Sequence, residues 1–258
     1  SKIKRKGIYF FKNYKIEKKK FEIFERLKKK FNIVNEINSY FYPERISKDV
    51  KIRYIDHHLS HIASAFYPSG FENAVGLSID GFGDFKSLAI AKCKGDDIKI
   101  VKKIFFPNSL GVFYEAFTQL VGFNNYGDEY KFMGLSSYGN PIFVDKIKSK
   151  IFNSFKKLEL NLDYFNHTNK NYVYQFKGQP TQDTIFNDKI YKLFGIKNNY
   201  KIEDDYKFKT NIACSVQKIF EESVMNICNE IKNLNFSENL VYAGGCALNS
   251  LANKRIIQ

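Results

Sequence analysis

The sequence predicts a mixed α/β fold, a sheet with flanking helices, on three observations. The apolar run 74–79 suits a buried strand, and a polar, glycine-bearing tip joins it to two more strand patterns, 87–93 and 98–106. Residues 211–234 place Ile212, Val216, Ile219, Phe220, Val224, Ile227 and Ile231 at helical spacing, the longest such stripe in the chain. A short strand at 239–242 turns at Gly244-Gly245 into a last helix, 247–257. A hairpin followed by helices, then by strand–turn–helix, argues against a purely parallel doubly wound sheet.

The other elements follow in order. Residues 15–31 alternate charge with Ile16, Phe21, Phe24, Leu27 and Phe31, a helical pattern. Residues 51–55 alternate polar and apolar and read as a strand. Asp56 is placed to cap a helix over 57–66, which Pro68, Ser69 and Gly70 end. Residues 80–84, DGFGD, form a tight turn, and Gly95-Asp96-Asp97 the next. A helix spans 112–121, residues 124–139 mix loop and short helix, and 143–158 is helical again. The polar, aromatic stretch 160–205 has a strand at 172–176.

Composition narrows the function classes. With 44% hydrophobic residues the 258-residue chain can bury a sizeable core. No apolar run reaches the ~18 residues of a membrane span. Its 41 basic and 27 acidic residues leave a formal charge of +14. The excess is lysine in a chain also rich in Asn, Ile, Phe and Tyr, the usage of an AT-rich genome, and it lacks the arginine–aromatic stripe of an RNA reader. Nucleic acid is therefore not the expected partner. The four cysteines form no CxxC pair, which removes zinc ribbons and points to a reduced, cytoplasmic protein. The chain begins at Ser1 and ends in an uncapped helix, as a piece of a longer protein would.

Four constellations carry chemistry. His57 and His61, four apart on a helix, share one face and can hold one divalent metal. The alternative is two surface histidines with His58 an exposed neighbour. Asp80 ends a buried strand before a glycine turn, where its carboxylate can face a site or simply bind local amides. Gly81 and Gly83 permit close approach of backbone to a phosphate, and Asp84 suits local hydrogen bonding. Gly244 and Gly245 stand between strand and helix, a natural phosphate position, with Asn249 a turn later near a base or ribose; close strand–helix packing is the alternative. Lys131 sits in a glycine-bounded segment and can meet an anion, or only solvent.

These segments resemble one family in one order. Residues 56–67, DHHLSHIASAFY, are similar to the histidine motif of the carbamoyltransferases that decorate nodulation factors, cephamycin and tobramycin. LSIDGFGD at 77–84 resembles their Asp-Gly hairpin, and SLGVFY at 109–114, which includes Gly111, their next block. EYKFMGLSSYG at 129–139 and GGCALNSLAN at 244–253 resemble the last two. Residues 1–50 and 153–205 match only loosely.

The resemblance implies an actin/sugar-kinase-like (ribonuclease-H-like) fold, related to the tRNA threonylcarbamoyl-transfer proteins. It implies a divalent iron held by His57, His61 and Asp80, with an aspartate beyond residue 258 as the fourth ligand. ATP or carbamoyl-adenylate is expected at Gly81, Gly83, Gly111, Gly244, Gly245 and Asn249, with Asp80 and Lys131 catalytic. A second domain would make carbamoyl-adenylate from carbamoyl phosphate and ATP. The acceptor would be a hydroxyl of a small molecule or glycan, and a homodimer is left open. The whole chain, 1–258, is expected to be part of one N-terminal domain. It would comprise a helical lead-in (1–50), a metal and hairpin half (51–142), a variable insertion (143–210) and the start of a second half (211–258). On this reading the parent is an enzyme and the isolated chain is inactive. A tRNA threonylcarbamoyl-transfer protein and a non-catalytic nucleotide-binding remnant are the alternatives.

Overall fold

A computed structural model describes residues 37, 39–40, 53–169, 172–175, 181–196 and 205–258. The chain divides into two compact units, Ser1–Ile55 and Asp56–Gln258, and the fold below is that of the second unit. The helix expected at 15–31 lies outside the described residues. Residues 53–55 are not in a strand, contrary to the alternation read there.

Helix α1 (His57–Phe66) leads into strands β1 (Asn73–Gly83), β2 (Lys86–Lys94) and β3 (Asp97–Phe105), an antiparallel meander. Helices α2 (Leu110–Leu120), α3 (Glu129–Leu135) and α4 (Val144–Ile151) follow. The insertion holds two small hairpins, β4 (Phe152–Ser154) with β5 (Glu159–Leu160) and β6 (Tyr174–Gln175) with β7 (Thr181–Gln182), then α5 (Lys189–Leu193). The long helix α6 (Tyr206–Lys232) returns the chain to β8 (Leu240–Ala243), and α7 (Ser250–Ile257) ends it. Among the described residues the main sheet has the order β3-β2-β1-β8, with β8 parallel to β1. The expected mixed α/β class is what forms.

The two faces of this sheet differ in side-chain size. Val75, Leu77, Ile79, Leu88 and Ile90 point into the large core with α2 and α6. Ala74, Ala89, Ala91 and Cys93 point the other way, against Ile62 and Phe66 of α1. Period-two alternation separates the sets, and because both faces are covered the strands read as continuous apolar runs. Small residues let α1 approach closely: a Cβ on Gly76 would lie 2.4 Å from a methyl of Ile62.

Three boundaries differ from expectation. The β1–β2 turn is not at 80–84: β1 runs on to Gly83, irregular in register after Ile79, and the turn is Asp84-Phe85, both left-handed (φ 51° and 63°). The helix expected over 143–158 stops at Ile151, because Asn161 takes its last carbonyls, those of Lys150 (3.0 Å) and Ile151 (2.8 Å), while the Phe152 ring packs 5.0 Å from that of Phe113. The last helix begins at Ser250, not Ala247; a 3-10 turn, Gly245–Leu248, comes first, and Asn249 caps the helix.

Candidate metal centre

α1 begins where Asp56 accepts from the Leu59 amide (3.3 Å), as its sequence position predicts. Asp84, at the hairpin tip, accepts from the His57 backbone N–H at 3.0 Å, so its role is not confined to its own turn. Buried Lys86 donates from Nζ to the other Asp56 oxygen. Two contacts from the β1–β2 hairpin thus hold the first turn of α1 in place, in addition to its own cap.

The side chains then converge. His57 Nε2 lies 2.8 Å from Asp80 Oδ2, His61 Nε2 lies 3.1 Å from the same oxygen, and the two Nε2 atoms are 3.1 Å apart. Among the described residues, these three form the His/Cys/Asp/Glu group whose ligand atoms come within 4.8 Å of one another. Three electron-rich atoms this close need a proton or a cation among them. A point roughly 2.1 Å from all three exists beside such a triangle, the distance of nitrogen or oxygen ligation to a divalent metal, and two imidazoles with one carboxylate suit iron or zinc. Side-chain exposures of 38%, 32% and 24% leave the group open to solvent on one side.

Burial alone would raise the Asp80 pKa, but hydrogen bonds from His57, the Gly81 amide and His61 outweigh it and hold the carboxyl below its usual range. The remaining oxygen, Oδ1, accepts from Gly81 N at 2.8 Å. Ser109, the N-cap of α2, donates to the carbonyls of Asp80 (3.2 Å) and Gly81 (2.5 Å).

The glycines are placed by packing more than by open space. A Cβ on Gly83 would lie 2.1 Å from the His57 ring, one on Gly111 2.7 Å from Gly81 N, and one on Gly245 2.9 Å from Asp80 Oδ1. Gly244, at φ +94°, would meet Ile79 O at 2.3 Å. Of the expected nucleotide glycines, Gly81 is the one whose Cβ direction is empty within 4 Å. Asn249 is not a turn into the helix and not free: its Oδ1 accepts from Gln217 and Ala252 and its Nδ2 donates to Gln217, all at 3.0 Å. Lys131 is exposed and pairs with Asp128 three residues before it at 2.7 Å, a local pair that accounts for its charge.

Two features escaped the sequence reading. His58 is not exposed; it is fully buried, with Nδ1 2.7 Å from Ser78 Oγ and Nε2 2.9 Å from the Lys86 carbonyl. Glu115, on the α2 face that carries Gly111, accepts from the Gln182 side chain. Burial first, then the charges of Glu129 and Asp80, push it up to about 7. Its position four residues after Gly111 was the available signal.

The carbamoyltransferase N-terminus family model matches residues 12–258. A protein of Synechocystis, sll1178, is 35% identical over 205 residues, covering 79% of this chain and 31% of the relative. Nodulation protein NolNO of Sinorhizobium fredii is 29% identical over 208 residues, 81% of this chain and 27% of its own length. Nodulation protein NolO of Bradyrhizobium diazoefficiens is 44% identical over 89 residues, 34% of this chain and 16% of its own. The chain thus spans less than a third of the length of these relatives. With the match running over nearly all of its residues, the chain belongs to the carbamoyltransferase N-terminus family.

Proposed function

We propose that this chain is the metal- and nucleotide-binding part of an O-carbamoyltransferase that acts on a hydroxyl of a small molecule or glycan. One observation carries the reading: His57, His61 and Asp80 converge on one point within a sequence that matches the family. The antiparallel meander extended by a parallel crossover strand supports an actin-like half-domain. His57 and His61 would bind a divalent iron through Nε2 and Asp80 through Oδ2. Such an ion supplies Lewis-acid polarisation of the carbamoyl oxygen or a hold on the adenylate phosphate. The Gly81 backbone, with no side chain in the way, would lie against that phosphate, and the Gly245–Leu248 turn beside Asp80 would bound the nucleotide on the other side. The parent would activate carbamoyl phosphate with ATP as carbamoyl-adenylate in a further domain, in the cytoplasm. No helix among the described residues is long and apolar enough to cross a membrane.

The test uses the full-length parent with carbamoyl phosphate, ATP and divalent iron against a panel of sugars and glycosides, read by mass spectrometry. Carbamoylation of a hydroxyl, lost in His57→Ala and His61→Ala, is the expected result. In a parallel reaction bicarbonate, threonine and tRNA replace carbamoyl phosphate and the panel. Threonylcarbamoyl transfer to tRNA with a silent panel would assign the protein to the tRNA-modifying class instead.

A further inference from the structure

We propose that His58 is a positioning residue for the metal centre: clamped between β1 and β2, it sets the rotation and height of α1 so that His57 and His61 meet Asp80. The proposal rests on the metal reading of this site and names a residue that reading does not use.

For the neutral ring the hydrogen-bond chemistry admits one arrangement. The Lys86 carbonyl can only accept, so His58 Nε2 carries the hydrogen and donates at 2.9 Å. In neutral imidazole the bare Nδ1 then accepts from the Ser78 hydroxyl at 2.7 Å. Both ring nitrogens are therefore committed to the sheet, each to a different strand.

Spacing turns this clamp into a device for the site. Ser78 and Asp80 are two apart on β1, and both face α1. His57 and His58 are neighbours on α1, and His61 lies one turn on. A bond between 58 and 78 thus fixes where 57 and 61 fall relative to 80. A slip of one residue would turn the helix by about 100° and carry both imidazoles off the carboxylate. The apolar contact beneath α1 is a poor substitute for the clamp. On the central strands β1 and β2 that face is Ala74, Gly76, Ala89, Ala91 and Cys93, with few ridges to hold a helix in register, and the larger Ile98, Ile100 and Val241 stand on the flanking strands β3 and β8. A polar clamp inside an apolar layer is costly to misplace, which is what gives it specificity.

Cobalt(II) is the probe, titrated into the 258-residue chain and followed by visible absorption and calorimetry. Circular dichroism and thermal unfolding are recorded for every variant. The wild-type chain is expected to bind cobalt, and His57→Ala to abolish binding. His58→Phe, which keeps volume but loses both hydrogen bonds, should bind roughly 10–100-fold more weakly, as for other outer-shell partners, with an altered spectrum. His58→Gln, whose amide can still reach the Lys86 carbonyl, should recover part of the loss. Ser78→Ala should weaken binding less than His58→Phe, and it carries the test if that variant does not fold. Folded His58→Phe or Ser78→Ala proteins with wild-type affinity and spectrum would overturn the positioning role alone. A wild-type chain that binds no cobalt would overturn the metal reading and the positioning role with it.

Discussion

Gly83 illustrates how one missing atom can make a site. Its backbone is not in the left-handed region, so alanine is tolerated conformationally, but the added Cβ would lie 2.1 Å from the His57 ring. The ring can swing away by rotating about its own bonds, and the strand need not move. Gly83→Ala is therefore expected to weaken cobalt or zinc binding at least tenfold, with an unfolding midpoint close to wild type. Unchanged metal affinity would show that His57 does not need this space. Gly245 acts in the same way from β8's side, leaving room for Asp80 Oδ1, so the glycine pair shapes the carboxylate's position whatever it does for phosphate.

The element that matters most is α1, and its start is secured by charge as well as by capping. Asp56 accepts from the Leu59 amide and pairs with Lys86, whose residue is 5% exposed. Removing the carboxylate deletes the cap and leaves a buried ammonium without this partner, so Asp56→Ala should cost about 3 kcal/mol. Asp56→Asn keeps a cap acceptor without the charge and should fall between wild type and alanine. Urea unfolding of the three proteins checks the order, and equal stability for all three would refute it. Lys148–Glu222 and Lys102–Glu230 are more exposed pairs, and their removal should matter far less.

At the scale of the whole unit, a half-buried carboxyl answers to several elements at once. Glu115 of α2 is bonded to Gln182 of the insertion, and Glu129 of α3 and Asp80 of β1 add to its raised pKa. Its folded value, about 7, lies above the ordinary 4.5. Between those values the unfolded chain releases the proton and the folded one keeps it, so this group's contribution to stability falls as pH rises and levels off above about 7. The loss is at most about 3 kcal/mol. Asp80, shifted the other way, loses its contribution only in acid, below the usual carboxylate range. Denaturation midpoints from pH 4.5 to 8 should decline in wild type and flatten in Glu115→Gln; the same slope in both would exclude Glu115 as the source.

Local patterns were enough for much of this molecule. A continuous apolar run marked β1, turn residues bounded β2, β3 and β8, and a 3.6-residue stripe marked α6, because a strand covered on both faces is apolar throughout and a helix that buries one side repeats at its own period. Asp56 before an apolar helix marked its cap, and the i, i+4 spacing of His57 and His61 put both on one face. What sequence proximity could not reach were contacts between residues far apart in the chain. Asp80, 23 and 19 residues from the two histidines in sequence, meets them where β1 packs beneath α1. The helix after 143 ends where Asn161, ten residues beyond Ile151, supplies the hydrogen bonds. His58 looked exposed because its neighbours in sequence are ligands at a surface, yet a sheet face made of small side chains draws α1 close and buries it. Asn249 and Lys131 carried polar chemistry in sequence, and the structure pairs them with Gln217 and Asp128. Helix and strand form are properties of short windows, whereas burial and hydrogen-bond partners depend on which distant segments pack together.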